Sequence, residues 1–270
     1  MKLKVKKRMI VKEKIGGQFL DLRICDNLEL MAEVEDNTVD LIYCDILYGT
    51  GKNFTDYQDL KPIRSEIEKH YIPRIKEMHR ILKDTGSIYL QMDTKINHWI
   101  RCIMEDIFGY DNMRNEIIWH YNTAPRKKLD FGKRHDIIYR FTKSNNYKFT
   151  PIREPYAKSA PRGYAKEKYY HKDGKVIGDV WKMNILGQND KKERVGYATQ
   201  KPKALIERII KASSNEGDLV ADFYSGSFTT AEVCKDLKRN FIGCDINPNC
   251  LKKAKERGLF SFTDEQGKAD

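Results

Sequence analysis

The chain has 270 residues, 40% of them hydrophobic, with 50 Lys and Arg against 39 Asp and Glu and a formal charge of +11. That length suits one large α/β domain or a domain with an insertion, and the charge favours a polyanionic partner. Composition argues against three other classes. No apolar stretch approaches a membrane span. The six cysteines lack CxxC pairs, so they read as small core residues of a reducing, cytoplasmic compartment, not as a disulfide or zinc framework. The basic start has no apolar segment behind it, unlike a secretory signal.

Residues 1–18 are Lys-rich and close on Gly16-Gly17, which predicts a flexible or loosely docked arm. Phe19–Ile24 reads as a strand. Asp26 follows its end, where a carboxylate suits a helix N-cap. Leu28, Leu30, Met31 and Val34 have helical spacing. Leu41-Ile42-Tyr43-Cys44 has the pattern of a buried strand. It leads into Asp45, Ile46, Leu47, Tyr48 and a Gly49-Thr50-Gly51 turn. Ligands of α/β sheets sit beyond the carboxyl ends of strands, so Asp45 and Tyr48 stand where chemistry is expected. A carboxylate beside an exposed aromatic ring suits a planar, amine-bearing ring, which it can stack on and accept a hydrogen bond from. Lys52 opens a polar loop. Ile67, Tyr71, Ile75, Met78 and Leu82 predict a helix over 65–82. A strand over 86–93, a helix over 95–108 and an antiparallel pair of edge strands over 115–119 and 136–141 follow.

From 121 to 198 the periodicity fades and cations alternate with aromatics. Arg126-Lys127-Lys128, Lys133-Arg134, Tyr164 with Lys166 and Lys168, and Lys191-Lys192 with Arg194 stand out. Such a surface suits gripping phosphates and stacking on bases; a solvated loop is the alternative. Its place between two α/β halves favours contact with double-stranded DNA. His135 beside a strand reads as structural.

The α/β pattern restarts at 199. Thr199-Gln200-Lys201-Pro202 precedes a helix over 203–213, with Pro202 suited to its first turn. Asp222-Phe223-Tyr224-Ser225-Gly226-Ser227 joins a strand to a helix start through small residues, so backbone can approach a ligand closely. Asp245 ends the next strand about twenty residues on, the distance at which an acid reaches ribose hydroxyls in Rossmann-like folds. A closing helix spans 248–257, and 263–270 reads as a polar tail.

Taken together, these motifs resemble the amino-group DNA methyltransferases, in the motif order of their β group. Asp45-Ile46-Leu47-Tyr48 stands where that family has Asp-Pro-Pro-Tyr, and 222–227 where it has its glycine-rich motif. The resemblance implies an α/β, circularly permuted Rossmann-like sheet. Residues 19–120 would be its catalytic half, 121–198 a target-recognition region carrying an edge strand near 136–142, and 199–262 its cofactor half. It implies S-adenosylmethionine as cofactor, held by Asp26, Asp45, Thr199, Gln200, Lys201, Pro202, Asp222, Phe223, Tyr224, Gly226, Ser227 and Asp245. It implies a flipped base, with Tyr48 stacked on it, Leu47 lining the pocket, and the Asp45 carboxylate and Ile46 carbonyl accepting from its amino group. No metal is required. DNA contacts would come from Lys52 and the cations of the basic region. A homodimer and a cognate restriction endonuclease are compatible partners.

Three residues at two sites depart from the family. Ile46-Leu47 replaces Pro-Pro, which removes two φ constraints. Phe228 replaces a glycine, and its ring is expected to point away from the cofactor and pack. Asp45 favours adenine N6 over cytosine N4. The alternatives are cytosine N4, RNA as substrate, or a catalytically weak or inactive DNA-binding partner of an active enzyme.

Overall fold

A computed structural model describes residues 9–15, 17–52, 59–123, 129–156, 171–187, 189–197 and 199–260. In chain order the strands are β1 (Met9–Ile15), β2 (Gln18–Ile24), β3 (Val39–Asp45), β4 (Leu82–Met92), β5 (Met113–His120), β6 (His135–Thr142), β7 (Arg153–Glu154), β8 (Lys175–Val176), β9 (Val180–Lys182), β10 (Leu219–Asp222) and β11 (Asn240–Asp245). The helices are α1 (Asn27–Met31), α2 (Arg64–Ile81), α3 (Asn97–Phe108), α4 (Lys203–Ser213), α5 (Thr229–Asp236) and α6 (Cys250–Glu256).

Nine strands form one mixed sheet in the order β1-β2-β11-β10-β3-β4-β6-β5-β9. The central run from β2 to β4 is parallel, and β6 and β5 close it antiparallel. β3 is buried along nearly its whole length, as a parallel strand covered on both faces must be. Its side chains alternate between two cores. Ile42 and Cys44 pack with Ile75 and Met78 of α2 and Met104 of α3. Leu41 and Tyr43 face Leu205 and Ile209 of α4 and Ala231 of α5. This alternation places α1–α3 on one face and α4–α6 on the other.

Most elements lie where the apolar spacing predicts, with α4 matching at both ends. Two features differ. The arm expected over 1–18 is a strand from Met9, paired with β2 from Met9↔Ile24 to Ile15↔Gln18. Its lysines alternate with apolar residues that reach the sheet, and the pattern is too charged to read as a strand in isolation. The β5–β6 pair is not the sheet edge either, because β9 pairs parallel with β5 outside it. Among the described residues no helix is long and apolar enough to cross a membrane.

Candidate active site

The carboxyl ends of β2, β3, β10 and β11 open into one cleft of about 1080 Å³. Asp45, the last residue of β3, is nearly buried there. Its Oδ2 accepts from the Lys201 ammonium at 2.6 Å, and its Oδ1 lies 2.8 Å from the Tyr48 hydroxyl. Burial pushes its pKa up, and the Lys201 charge opposes that rise.

Tyr48 is half-buried. Its hydroxyl lies 2.8 Å from Asp45 and 2.7 Å from Asp136 Oδ2. A phenol has one hydrogen, so it donates to one carboxylate at a time. Asp136 also accepts from Gln91 Nε2 at 3.0 Å and from the Tyr121 hydroxyl at 3.1 Å. The Lys201 ammonium lies 5.2 Å from the Tyr48 ring centroid. The expectation of an exposed ring beside an open carboxylate is therefore corrected: the ring is half-covered and Asp45 is already ion-paired. The cause is tertiary, since Lys201 and Asp136 are distant in sequence.

The turn after Tyr48 is clamped. Asp59 accepts from the Gly49 amide at 3.1 Å and from the Thr50 amide at 2.7 Å. Gly49 has φ +63°, and a Cβ there would lie 2.6 Å from Ile96 Cγ2, so only glycine fits. Ile46 is 2% exposed, and its amide donates to the Gln91 carbonyl at 3.0 Å. A proline has no such donor, so this chain extends the β3–β4 pairing by one bond at that position. The Leu47 carbonyl accepts from the Tyr71 hydroxyl at 2.9 Å.

On the other side, Asp222 is buried. It accepts from the Thr230 hydroxyl at 2.6 Å and the Tyr224 amide at 3.0 Å. Burial pushes its pKa up to about 7 against those bonds. Asp245 accepts from the amides of Gly226 at 2.8 Å and Asn247 at 2.9 Å, and burial raises its pKa too. The turn lies directly on β11, because a Cβ on Gly243 would sit 2.6 Å from both the Asp222 carbonyl and Ser225 Oγ. Phe228 takes a left-handed conformation, φ 55° and ψ 33°, at the start of α5. That is where glycine would be free of strain. Its ring points away from the cleft, fully buried, edge-on to Phe241 with centroids 6.4 Å apart.

The remaining sequence candidates divide. Asp26 caps α1 through a 2.9 Å bond from the Leu28 amide and pairs with Arg74 at 2.8 Å. Phe223, Tyr224, Ser227 and Thr199 line the cleft, as does Gln200, which also ties Val195 to Glu193. Pro202 does not line it; it caps α4. Lys52, Lys133, Lys191, Lys192 and Arg194 are exposed and Arg134 is half-buried. Arg126, Lys127, Lys128, Tyr164, Lys166 and Lys168 lie outside the described residues.

Other residues gave little warning. His70 and Arg74 sit one helical turn apart on α2, read before only for its apolar stripe. Burial and Arg74 hold the His70 pKa down to about 4. Asp136 is the second residue of β6, and its sole signal was an acid opening an apolar run. Leu129 and Phe131 stand 97% and 101% exposed close to Arg134 in sequence.

Residues 39–256 match the DNA methylase family. The chain belongs to that family. It is 36% identical over 244 residues to the type II methyltransferase M.HpaI of Haemophilus parainfluenzae, covering 87% of this chain and 73% of that protein. It is 30% identical over 249 residues to the DNA adenine methyltransferase YhdJ of Escherichia coli strain K12, covering 86% and 80%. The PvuII DNA methyltransferase, specific for cytosine N4, has a similar fold: TM-score 0.69, 16% identity, 92% of this chain and 89% of that one. YhdJ is thus an adenine enzyme related in sequence, whereas the cytosine-N4 enzyme shares only the fold.

Proposed function

We propose that this DNA methylase transfers a methyl group from S-adenosylmethionine to the N6 amino group of a flipped adenine in double-stranded DNA. The observation that carries the reading is the placement of Asp45 and Tyr48 in one cleft with Asp222, Gly226 and Asp245. An amine-directed acceptor and a dinucleotide-type turn then serve one reaction volume. The adenine preference rests on the Asp45 acceptor and on the likeness to YhdJ.

The cleft suits the cofactor. Asn27 Oδ1 and Arg74 Nε are buried and have no hydrogen-bond partner among the described residues. They offer one acceptor and one cationic donor to a ligand carrying both an amine and a carboxylate. Asp245 would take ribose hydroxyls, and the 222–227 turn would take the methionine end together with Lys201. The bound cofactor supplies an electrophilic methyl group. The chain's own residues position the amine. With the Tyr48 hydrogen on Asp136, Asp45 Oδ1 is free to accept from the amino group, and the Ile46 carbonyl offers a second acceptor. Catalysis then rests on orientation and fixed charge.

The halves 19–120 and 199–262, with the basic region 121–198 between them, make a circularly permuted methyltransferase in this reading. The cations of the basic region would hold phosphates, and Leu129 and Phe131 suit wedging into a base step. A homodimer and a cognate restriction endonuclease in the cytoplasm fit the same setting. Against the inactive-partner reading, the Phe228 ring packs away from the cleft and Ile46 lines it while only 2% exposed.

The test is incubation with unmethylated genomic DNA and S-adenosylmethionine, followed by nucleoside mass spectrometry. N6-methyladenine that disappears in Asp45→Ala is expected. N4-methylcytosine instead overturns the base assignment, and no methylated product overturns the enzyme.

A further inference from the structure

A second cavity, of about 230 Å³, lies beneath α4 against β4, β5 and β6 and shares no residue with the cleft. It is below the ~300–1,000 Å³ of drug-sized sites but well above the ~30 Å³ share of one water. Arg140 of β6 lines it and is 3% exposed. Three rings surround this guanidinium, Phe149 at 4.3 Å, Tyr147 at 5.0 Å and Tyr89 at 5.8 Å. Rings cover the planar faces of a guanidinium and do not satisfy its in-plane N–H groups. Nη1 reaches Asn115 only at 3.4 Å, and Nε and Nη2 have no partner among the described residues. No described carboxylate bonds to it, and burial lowers its pKa.

A second guanidinium borders the same space. Arg208 of α4 stands 5.1 Å over the Trp181 ring and forms no hydrogen bond or ion pair among the described residues. Asp179 on the rim is exposed, and Glu154 of β7 is paired with Lys175 at 3.2 Å. A buried, unpaired guanidinium is costly, and an anion forked on its N–H edge would remove the cost. Two guanidiniums match the double charge and paired oxygens of a phosphate. The aromatic walls suit a sugar or base attached to it.

We propose that this cavity binds a phosphate group, borne either by a free nucleotide or by the DNA backbone. The test titrates the full chain, at constant ionic strength, with inorganic phosphate and with dAMP, followed calorimetrically and by tryptophan fluorescence. Saturable binding is expected, weakened about tenfold or more by Arg140→Met. Arg208→Gln, at a half-exposed position, should weaken it severalfold and keeps the test alive should Arg140→Met fail to melt cooperatively. Duplex binding across a salt series separates the two sources. A backbone phosphate requires Arg208→Gln to lower the slope of log K against log salt by about one. A nucleotide leaves that slope unchanged and makes dAMP bind tighter than phosphate. Absence of saturable binding of either probe with an unchanged slope, or binding that survives both substitutions, overturns the proposal.

Discussion

Replacing Ile46 with proline should destabilise this protein. The Ile46 amide donates to the Gln91 carbonyl at 3.0 Å, and Gln91 is fully buried. Proline removes the donor and strands that acceptor, which costs about 1–3 kcal/mol. It also trims about one methylene from a side chain that is 2% exposed, worth about 0.8 kcal/mol. Against this, the stiffer unfolded chain returns only about 0.4–1 kcal/mol. The net loss is then about 1–3 kcal/mol. Leu47→Pro is the control. The Leu47 amide makes no hydrogen bond among the described residues, so that variant should lose far less. Urea denaturation of the three proteins, read by circular dichroism, measures the difference. An Ile46→Pro protein as stable as the parent, or a Leu47→Pro protein that is the worse of the two, would refute the claim that Ile46 is held by its own hydrogen bond.

Phe228→Gly relieves a left-handed residue but empties a fully buried ring site. Emptying such a site costs about 3–5 kcal/mol while relief returns about 1–2, so denaturation should show a net loss of roughly 1–4 kcal/mol. Cofactor affinity, measured by calorimetry, should stay unchanged. Asp222 carries a pKa of about 7 because it is buried. Folding therefore favours its protonated form. The resulting stability is full below the unfolded carboxylate range and is lost as pH rises through about 7. The fall in stability from pH 5 to pH 8 should be smaller in Asp222→Asn than in the parent, and an equal fall would sink this assignment. Lys201→Met removes the cation that opposes the burial-raised pKa of Asp45. The acid limb of kcat/KM for methyl transfer should move to higher pH, and an unmoved limb would mean that Asp45 need not be ionised. Asp136→Asn weakens the acceptor that competes for the Tyr48 hydrogen. It should lower kcat more than it raises KM for DNA.

Local residue pattern determined much of this protein. Apolar runs of period two and of helical spacing set out β3, β10, β11, α2 and α4, because each must bury a stripe on one sheet. The same runs ended in Asp45, Asp222 and Asp245, and strand ends are where a parallel sheet gathers its ligands. What remained illegible depends on distance along the chain. Lys201 meets Asp45 across 156 positions and Asp136 meets Tyr48 across 88. No periodicity encodes such pairings, so the ion pair and the shared hydroxyl emerged only with the fold. β1 and β9 were hidden because edge strands in charged segments borrow their order from a neighbouring strand. Ile46 and Phe228 stood out in sequence as departures from a family pattern, Phe228 with a ring expected to pack. Tertiary structure supplied the partners, giving the Ile46 amide a carbonyl to bond and the Phe228 ring a core to fill.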